Sequence, residues 1–336
     1  MAEETKKLSA SRIKTLKSCS WIYWCKYHLK LPDKSNSGAE RGNCVHTIFE
    51  CLLNKRHKKH FNQIVKAGQI SASPAIDRLV WKIILKSEIL SEDSADNYKQ
   101  IDEMILVGLK NDFFCKGIKL FDPEYEFNLV NDNPKYHARG FIDKWGVDHK
   151  KKQVFIKDYK SSKGKFDGED LEFNVQALLY SVVSKKAYPE YRCIVEFIFL
   201  KYADDPIQTL EFDDVVLEGF EHYLESLNHK MNHFTYADAI ADLAAKKPYP
   251  EKGFTGKLLC GFATEPGELK KDGSPKWHCS FKFAFDYYVL LDENRGFVKS
   301  DVDTKKLEKI KKENWSIEHR SYGGCPAFNK SSLTNF

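Results

Sequence analysis

The sequence lacks the segments that would fix a protein in a membrane or export it from a cell. No run of about 18 apolar residues occurs, so we expect no membrane-spanning helix. Residues 1–14 are polar and contain no apolar core of a signal peptide. The nine cysteines are odd in number and include no C-x-x-C pair, which argues against a disulfide scaffold and a simple zinc finger. We therefore expect a cytoplasmic protein, or one of the host cytoplasm if a phage encodes it.

The chain has 336 residues, of which 42% are hydrophobic and 13% aromatic. This length and composition suffice for a sizeable core in one or two domains, and they exclude disorder as the overall state. The net charge of +5 is uneven, because residues 1–60 hold 13 Lys and Arg against 5 Asp and Glu. A local basic excess is typical of a protein with a polyanionic partner, although a solvated basic face would give the same pattern.

The hydrophobic periodicity changes along the chain and predicts three parts. Residues 1–118 are mostly helical, residues 119–246 combine strands and helices, and residues 247–336 form an irregular extension that contains cysteines. In the middle part, strand patterns are followed by a helix and then by a further strand. This order predicts an α/β fold with a mixed sheet flanked by helices. A short strand and a charged helix over residues 303–314 are expected near the end.

Two carboxylates and a lysine form the first candidate site. Asp158 and Lys160 lie two apart in a predicted strand, so their side chains face the same way. Asp143 lies on the preceding strand of a predicted hairpin, where its carboxylate can converge with that of Asp158. Such oxygen ligands suit Mg²⁺ or Mn²⁺, and a nearby lysine can orient or deprotonate a water molecule. An exposed Asp/Lys face is the commoner explanation of a D-x-K triplet, but here an apolar run precedes it.

Two predicted helices carry polar residues at helical spacing. Arg41, Gly42 and His46 open one helix, and Gln176 and Tyr180 lie four apart on the helix after the Asp158 strand. Each of these features alone is more often structural, as a packed histidine or a polar helix face.

In their order along the chain, these motifs resemble the RecB-like branch of the PD-(D/E)XK nuclease superfamily, over about residues 8–202. That branch includes nuclease domains of helicase–nucleases, CRISPR adaptation nucleases and phage exonucleases. The matching segments are a Ser-containing helix that leads to a Cys (Leu8–Cys19), R-G-x-x-x-H (Arg41, Gly42, His46), G-x-x-D (Gly140, Asp143), D-x-K (Asp158, Lys160) and Q-x-x-x-Y (Gln176, Tyr180).

The resemblance implies a restriction-endonuclease-like fold and a Mg²⁺- or Mn²⁺-dependent deoxyribonuclease. The implied activity is that of an exonuclease in DNA recombination, repair or phage DNA processing. The implied partners are single- or double-stranded DNA ends. Because the sequence has no G-x-x-x-x-G-K-[ST] loop, a motor function would come from a separate helicase. A recombinase or a single-strand-binding protein is the other kind of partner that we expect.

The resemblance also implies a role for each matching side chain. His46, Asp143 and Asp158 would bind the metal ion, and Lys160 would act on the attacking water molecule. Gln176 and Tyr180 would position metal ligands or DNA, and Arg41 would contact DNA.

The cysteines are a separate question, because some members of this branch close their nuclease domain with an iron–sulfur cluster. By that resemblance, a [4Fe–4S] cluster would bind Cys19, Cys260, Cys279 and Cys325. The chain departs from the family here, since the family's last cysteines are tightly spaced. Two alternatives stay open, namely zinc on Cys260, His278, Cys279 and Cys325, and ordinary buried thiols.

Two alternative functions also stay open. A CRISPR-adaptation-type nuclease would share the same site and differ only in its partners. A non-catalytic nucleic-acid-binding module would keep the fold, but the presence of Asp143, Asp158 and Lys160 together argues against it.

Overall fold

The computed structural model describes residues 6–246 and 257–329. Spatial contacts divide the chain into two compact units. The first comprises Met1–Ala10 and Ser35–His229, and the second comprises Ser11–Lys34 and Lys230–Phe336. This division does not follow the order of the chain, so the boundaries expected near residues 118 and 246 stay predictions. No helix among the described residues is both long and apolar enough to cross a membrane.

The first third of the described chain is helical, as its periodicity predicts. Its helices are α1 (Ala10–Ser18), α2 (Ser20–Tyr27), α3 (Ser37–Leu53), α4 (Lys58–Ala67), α5 (Pro74–Lys86), α6 (Glu88–Ser91) and α7 (Ser94–Lys110). The side chain of Asn36 caps α3 by accepting a hydrogen bond from the backbone N–H of Ala39. Apolar side chains of α3, α4, α5 and α7 form the helical part of the core of the first unit.

The strands of the first unit form one large sheet and one hairpin. They are β1 (Lys119–Leu120), β2 (Tyr125–Asp132), β3 (Lys135–Ile142), β4 (Lys144–Asp148), β5 (Gln153–Lys160), β6 (Arg192–Phe199) and β7 (Ile207–Leu210). The sheet order is β1-β4-β5-β6-β7, with β5 and β6 parallel and the other neighbours antiparallel. Strands β2 and β3 form a separate hairpin, and Leu8 makes a parallel bridge to Ala138 of β3. The predicted mixed sheet is therefore confirmed.

Three helices accompany the second half of this sheet. They are α8 (Glu169–Glu172), α9 (Val175–Ala187) and α10 (Asp214–Asn232). Helix α9 lies between the parallel strands β5 and β6 in the chain, which is the usual connection for such a pair. Its apolar residues Ala177, Leu178, Leu179 and Val182 are buried, so the flanking helices of the predicted fold are confirmed as well.

Strand β5 positions the candidate site, because its first half is apolar and its last residues are polar. Val154 and Ile156 are fully buried, and the strand ends at Lys160. Strand β4 pairs with β5 so that Lys144 lies opposite Lys157. Asp143, which directly precedes β4, therefore comes level with the end of β5. It lies at a bend between β3 and β4, whereas the apolar pattern suggested one continuous strand through this position.

The second unit contains a small sheet that the sequence did not reveal. Its elements after α1 and α2 are α11 (Tyr236–Ala241), α12 (Lys257–Cys260), β8 (Phe285–Leu291), β9 (Phe297–Asp301), α13 (Thr304–Glu308) and β10 (Ser316–Tyr322). Strands β10, β8 and β9 form an antiparallel sheet in that order. The strand expected in this region is present as β8, but the sequence did not indicate its partners β9 and β10.

Two further expectations in this unit need correction. The predicted helix over residues 303–314 ends at Glu308, because Leu307 is its single buried residue and the charged residues that follow have no apolar stripe. The predicted first helix is interrupted at Cys19, whose extended backbone separates α1 from α2. The start of the predicted extension, residues 247–256, lies outside the described residues.

Candidate active site

His46, Glu124 and Asp143 form a compact group of possible metal ligands. One ligand atom from each of the three residues lies within 4.8 Å of the other two. His46 Nδ1 is 3.4 Å from Asp143 Oδ2 and 3.8 Å from Glu124 Oε1. Each side chain is only partly buried, so an ion could reach the group from solvent. One imidazole nitrogen and two carboxylates are a donor set that suits Mn²⁺ well. Mg²⁺ could bind to the carboxylate oxygens of the same set.

The backbone of β5 holds this group in place. His46 Nε2 lies 3.1 Å from the carbonyl oxygen of Tyr159, to which it can donate a hydrogen bond. That bond fixes the ring so that Nδ1 faces the carboxylates, as in many metal sites. The N–H of Tyr159 donates to Asp143 Oδ2 at 2.8 Å. One peptide segment of β5 therefore orients both His46 and Asp143.

The electrostatics of the group favour a positive charge between the carboxylates. Burial favours the neutral ring of His46, but hydrogen bonds to Asp143 and Glu124 outweigh it and raise the pKa of His46 to about 10. Without a metal, the proton on His46 therefore balances the acidic charge. A divalent cation would replace that proton, because a ligating imidazole must be neutral.

A second polar network surrounds Asp158, which is almost completely buried. Its Oδ2 lies 2.5 Å from Lys160 Nζ, and its Oδ1 accepts a hydrogen bond from Gln176 Nε2 at 2.8 Å. Lys160 Nζ also donates to Gln176 Oε1 at 2.7 Å. The amide of Gln176 thus bridges Asp158 and Lys160. Asn174 caps α9 and sets the position of Gln176 in its first turn.

Tyr180 closes the network from one turn further along α9. Its hydroxyl oxygen accepts a hydrogen bond from Gln176 Nε2 at 2.6 Å and lies 3.0 Å from Asp158 Oδ1. It also lies 2.8 Å from the carbonyl oxygen of Phe141, so its single proton is shared between two acceptors. The helical spacing of Gln176 and Tyr180 therefore brings both side chains to the same carboxylate.

Two charges oppose each other at Asp158. Burial raises the pKa of Asp158, the Lys160 ammonium lowers it, and the nearby carboxylate of Asp143 raises it again. The balance is a raised pKa, so this carboxylate is held in a region where added positive charge is favourable. A metal ion next to Asp143 would supply such a charge.

A buried lysine supports the site from behind. Lys144 directly follows Asp143, is only 2% exposed, and donates to the hydroxyl of Tyr159 at 2.6 Å. It also donates to the carbonyl of Phe113, and its Nζ lies 4.2 Å from the centroid of the Phe113 ring. Burial lowers the pKa of Lys144 to about 8. These contacts fix the residue that directly follows Asp143.

Glu124 is the site residue that the sequence did not reveal. It precedes β2 and has a φ of +53°, a left-handed conformation that is uncommon for a residue other than glycine. This conformation turns its carboxylate toward His46, and such backbone outliers often occur at functional sites. Glu126, two residues later, is instead half-exposed and pairs with Arg139 at 2.8 Å. No periodic pattern in the sequence distinguishes Glu124 from Glu126. Only the left-handed backbone conformation of Glu124, which the structure reveals, separates the two acids.

The cysteines of the second unit are close in space as well. Backbone hydrogen bonds join Cys279 to Cys260 and Cys325 to Lys282, and buried Lys282 donates to the carbonyls of Gly261 and Ala263. Charge on Cys19, Cys260 or Cys279 would raise the pKa of Cys325, so these thiols lie within electrostatic reach of one another. No three of the described cysteine sulfurs lie within 4.8 Å of one another.

Comparison with known proteins identifies the class of this protein. The model of the PD-(D/E)XK nuclease superfamily matches residues 7–262, which is well over half of the chain. The chain therefore belongs to the PD-(D/E)XK nuclease superfamily, whose members typically use Mg²⁺ or Mn²⁺. A search of curated proteins found no match to it. The membership fits the mixed sheet and the acid-rich group at the end of β5.

Proposed function

We propose that this protein is a Mg²⁺- or Mn²⁺-dependent exonuclease that hydrolyses phosphodiester bonds at DNA ends. The observation that carries the proposal is the junction of two groups at the end of β5, where Tyr159 orients His46 and Asp143 while the next residue, Lys160, pairs with Asp158. The resemblance to the RecB-like branch supports the exonuclease activity and a role in recombination, repair or phage DNA processing. A separate helicase, recombinase or single-strand-binding protein is the proposed partner.

The proposed metal ligands are His46, Glu124 and Asp143, with Asp158 as a further ligand. The donor set fits the ion, since the carboxylates and the raised pKa of His46 show that this position stabilises positive charge. A bound divalent ion there would polarise the phosphate and lower the pKa of a bound water molecule. The Nε2–H of His46 can donate a hydrogen bond to the Tyr159 carbonyl, which holds the ring in one orientation.

Lys160 is the residue that we propose orients the attacking water molecule. Its side chain is about one-fifth exposed, and its Nζ is held by Asp158 and Gln176, so it can contact substrate in a fixed position. An ammonium in this position can donate to the water or to the phosphate and stabilise the charge that develops during attack. Gln176 and Tyr180 keep Asp158 oriented toward Lys160 and are positioning residues in this scheme.

The test is a cleavage assay on labelled DNA. Single-stranded, double-stranded and circular DNA, each labelled, are incubated with Mg²⁺, with Mn²⁺ and with EDTA. We expect linear DNA to shorten from its ends with either metal, and closed circles to survive. Cutting of circles would contradict the exonuclease proposal, and binding without any cleavage would support the non-catalytic module. Lys165→Ala serves as a control, because Lys165 is in the next loop and pairs with Asp205.

We also propose that Cys19, Cys260, Cys279 and Cys325 bind a [4Fe–4S] cluster. Burial raises the pKa of Cys279 to about 11 and that of Cys325 to about 12, so without a metal these thiols are neutral. A tetrahedral zinc site with Zn–S bonds near 2.3 Å needs sulfurs about 3.8 Å apart. No three of the described sulfurs lie within 4.8 Å of one another, so without a metal they do not already form a zinc-sized group.

His278 is the additional ligand of the zinc alternative, and its hydrogen bonding allows that role. Its Nδ1 lies 3.0 Å from the carbonyl oxygen of Cys279, which leaves one nitrogen for a metal. Metal analysis and absorbance near 400 nm of protein purified without oxygen test the two proposals. Iron with brown colour would support the cluster, and one zinc ion without colour would support the alternative. If neither metal is found, the four cysteines are ordinary thiols.

A further inference from the structure

Helix α3 and the chain that leaves β5 approach each other beyond the proposed metal site. A Cβ atom on Gly42 would lie 2.6 Å from Ser161 Oγ, so only glycine allows this approach. His46 follows one turn later on the same face of α3 and contacts the carbonyl of Tyr159. The rise of an α-helix places Gly42 roughly 6 Å from His46 along the axis. The contact between Gly42 and Ser161 therefore lies about one helical turn from the proposed metal ligand His46.

Arg41 lies beside this contact with one edge of its guanidinium unused. The side chain is 9% exposed, and its Nη1 donates to Asn97 Oδ1 at 2.5 Å. Asn97 is itself buried and donates to the carbonyl of Leu90, so the arginine is held firmly. Its Nε–H is buried and has no hydrogen-bond partner among the described residues. Nε and Nη2 form the edge of a guanidinium that binds a phosphate with two parallel hydrogen bonds.

Two lysines and a hydroxyl group lie at the same place. The N–H of Leu200 donates to the carbonyl of Lys160, which puts Lys201 next to Ser161. Burial lowers the pKa of Lys201, and the positive charges of Arg41 and Lys163 lower it further, so Lys201 lies within electrostatic reach of both. Among the described residues, no carboxylate pairs with any of them, and the Ser161 hydroxyl has no hydrogen-bond partner.

Neighbouring residues of the same kinds are fully partnered, which sets this cluster apart. Lys165 pairs with Asp205 at 2.7 Å, and the Ser162 hydroxyl donates to the carbonyl of Gly164. Three cations without a carboxylate partner among the described residues, together with the buried unpaired N–H of Arg41, favour the binding of an anion at this place. The chain thus offers matched pairs of residues, with and without partners, in a single loop.

We propose that Arg41, Ser161, Lys163 and Lys201 form a binding site for a phosphate next to the linkage that is cut. This inference rests on the proposed nuclease function, and it adds a second anchor for the DNA strand beyond the metal site. The ligand is a phosphate group, either an internal phosphodiester or the terminal phosphate of the strand. Holding it would fix the register of the strand, so that one particular linkage reaches the metal ligands.

The first test measures DNA binding in EDTA, so that it does not depend on cleavage. The probe is a fluorescein-labelled single-stranded oligonucleotide, titrated by anisotropy at several salt concentrations. Lys163→Ala, Lys201→Ala and Ser161→Ala should each weaken binding, by about tenfold for the lysines. Each lysine variant should also lower the salt slope by about 0.7, the value for one phosphate contact on a single strand. Lys165→Ala and Ser162→Ala should bind like the unaltered protein.

The second test locates the phosphate. A series of oligonucleotides carries one uncharged methylphosphonate linkage, moved one position at a time, and a parallel pair carries a 5′-phosphate or a 5′-hydroxyl. For the unaltered protein, we expect binding to weaken when the uncharged linkage occupies one particular position, or when the 5′-phosphate is missing. This loss of affinity should disappear in Lys163→Ala and Lys201→Ala. Equal penalties in all proteins would overturn the proposal. Arg41→Lys keeps the charge and is included with a thermal unfolding check, because Asn97 loses its partner.

Failure of this site and failure of the nuclease proposal give different results. If the phosphate site is wrong, the unaltered protein still cleaves DNA with Mn²⁺, and the lysine variants bind like Lys165→Ala. If the nuclease proposal is wrong, no DNA is cleaved with either metal, whatever the binding shows.

Discussion

The acidic group of the first unit and the thiols of the second unit differ in how their charges are balanced without a metal. In the first unit, His46 Nδ1 faces the carboxylates of Asp143 and Glu124, which raise the pKa of His46, and Lys160 pairs with Asp158. In the second unit, burial keeps Cys279 and Cys325 protonated. The first group is therefore assembled by internal ion pairs, whereas the second needs a metal before it can carry charge.

This difference predicts that the two proposed metal sites behave differently. A site that is already paired can exchange an ion reversibly, because the protein returns to a satisfied state when the ion leaves. Buried thiols become thiolates only together with their metal, and metal binding then contributes to folding. We therefore expect the ion of the first unit to serve the reaction and the metal of the second unit to stabilise the fold.

The largest expected effect is on stability, when the cysteine cluster is disrupted. Cys325→Ser should remove the brown colour and lower the free energy of unfolding by about 4 kcal/mol or more, as the loss of a structural metal does. EDTA should abolish cleavage in the unaltered protein but shift its thermal midpoint much less. Differential scanning calorimetry on both samples measures the contrast. Cys115→Ser is a matched control, because Cys115 is a buried cysteine of the first unit. Equal shifts in all samples would remove the distinction between the two sites.

The next largest effect concerns catalysis. Lys160→Ala should reduce the cleavage rate by about 10²-fold or more, because the ammonium acts mainly on the transition state. DNA binding should stay within a few-fold, since phosphate contacts elsewhere dominate affinity. Single-turnover cleavage and anisotropy binding measure the two quantities separately. Parallel losses of binding and cleavage would show that Lys160 grips the substrate instead.

The sequence predicted the part of this site that follows regular periodicity. Asp158 and Lys160 follow from a period of two, and Gln176 and Tyr180 follow from helical spacing, so each pair shares a face in the structure. The mixed sheet followed from the order of apolar patterns. Glu124 was missed because a left-handed backbone position, which no repeat indicates, turns it into the site.

The second unit was harder to predict, because its order depends on contacts that are distant in sequence. Strand β8 was anticipated, but its partners β9 and β10 are short and polar on one face, and their pairing is visible only in the structure. Lys282 would be expected on the surface from its residue type, yet it is buried and holds two loop carbonyls.

A smaller effect is expected in the pH dependence of metal binding. The pKa of His46 is raised from 6.5 to about 10, so its charge stabilises the metal-free protein fully below pH 6.5 and is lost as pH rises through about 10. Metal binding runs in the opposite direction, because the ion displaces that proton. Below the pKa, apparent Mn²⁺ affinity should rise about tenfold per pH unit.

Calorimetry in buffers of different ionisation enthalpy counts the protons released on binding. We expect about one proton per Mn²⁺ near neutral pH for the unaltered protein and none for His46→Gln. If both proteins release the same number, His46 is not a ligand and the metal is held by carboxylates alone.

The smallest expected effect is that of the Tyr180 hydroxyl. Tyr180→Phe removes one contact to Asp158, but Gln176 still bridges Asp158 and Lys160. One hydrogen bond contributes about 1 kcal/mol, so cleavage should slow by about fivefold and stability should fall by a similar free energy. Tyr136→Phe is the matched control, because the Tyr136 hydroxyl donates to Glu221, so it should lower stability alone. If Tyr180→Phe instead reduced cleavage as far as Lys160→Ala, the hydroxyl would have to contact the reacting groups, and the site would depend on Tyr180 for chemistry rather than for position.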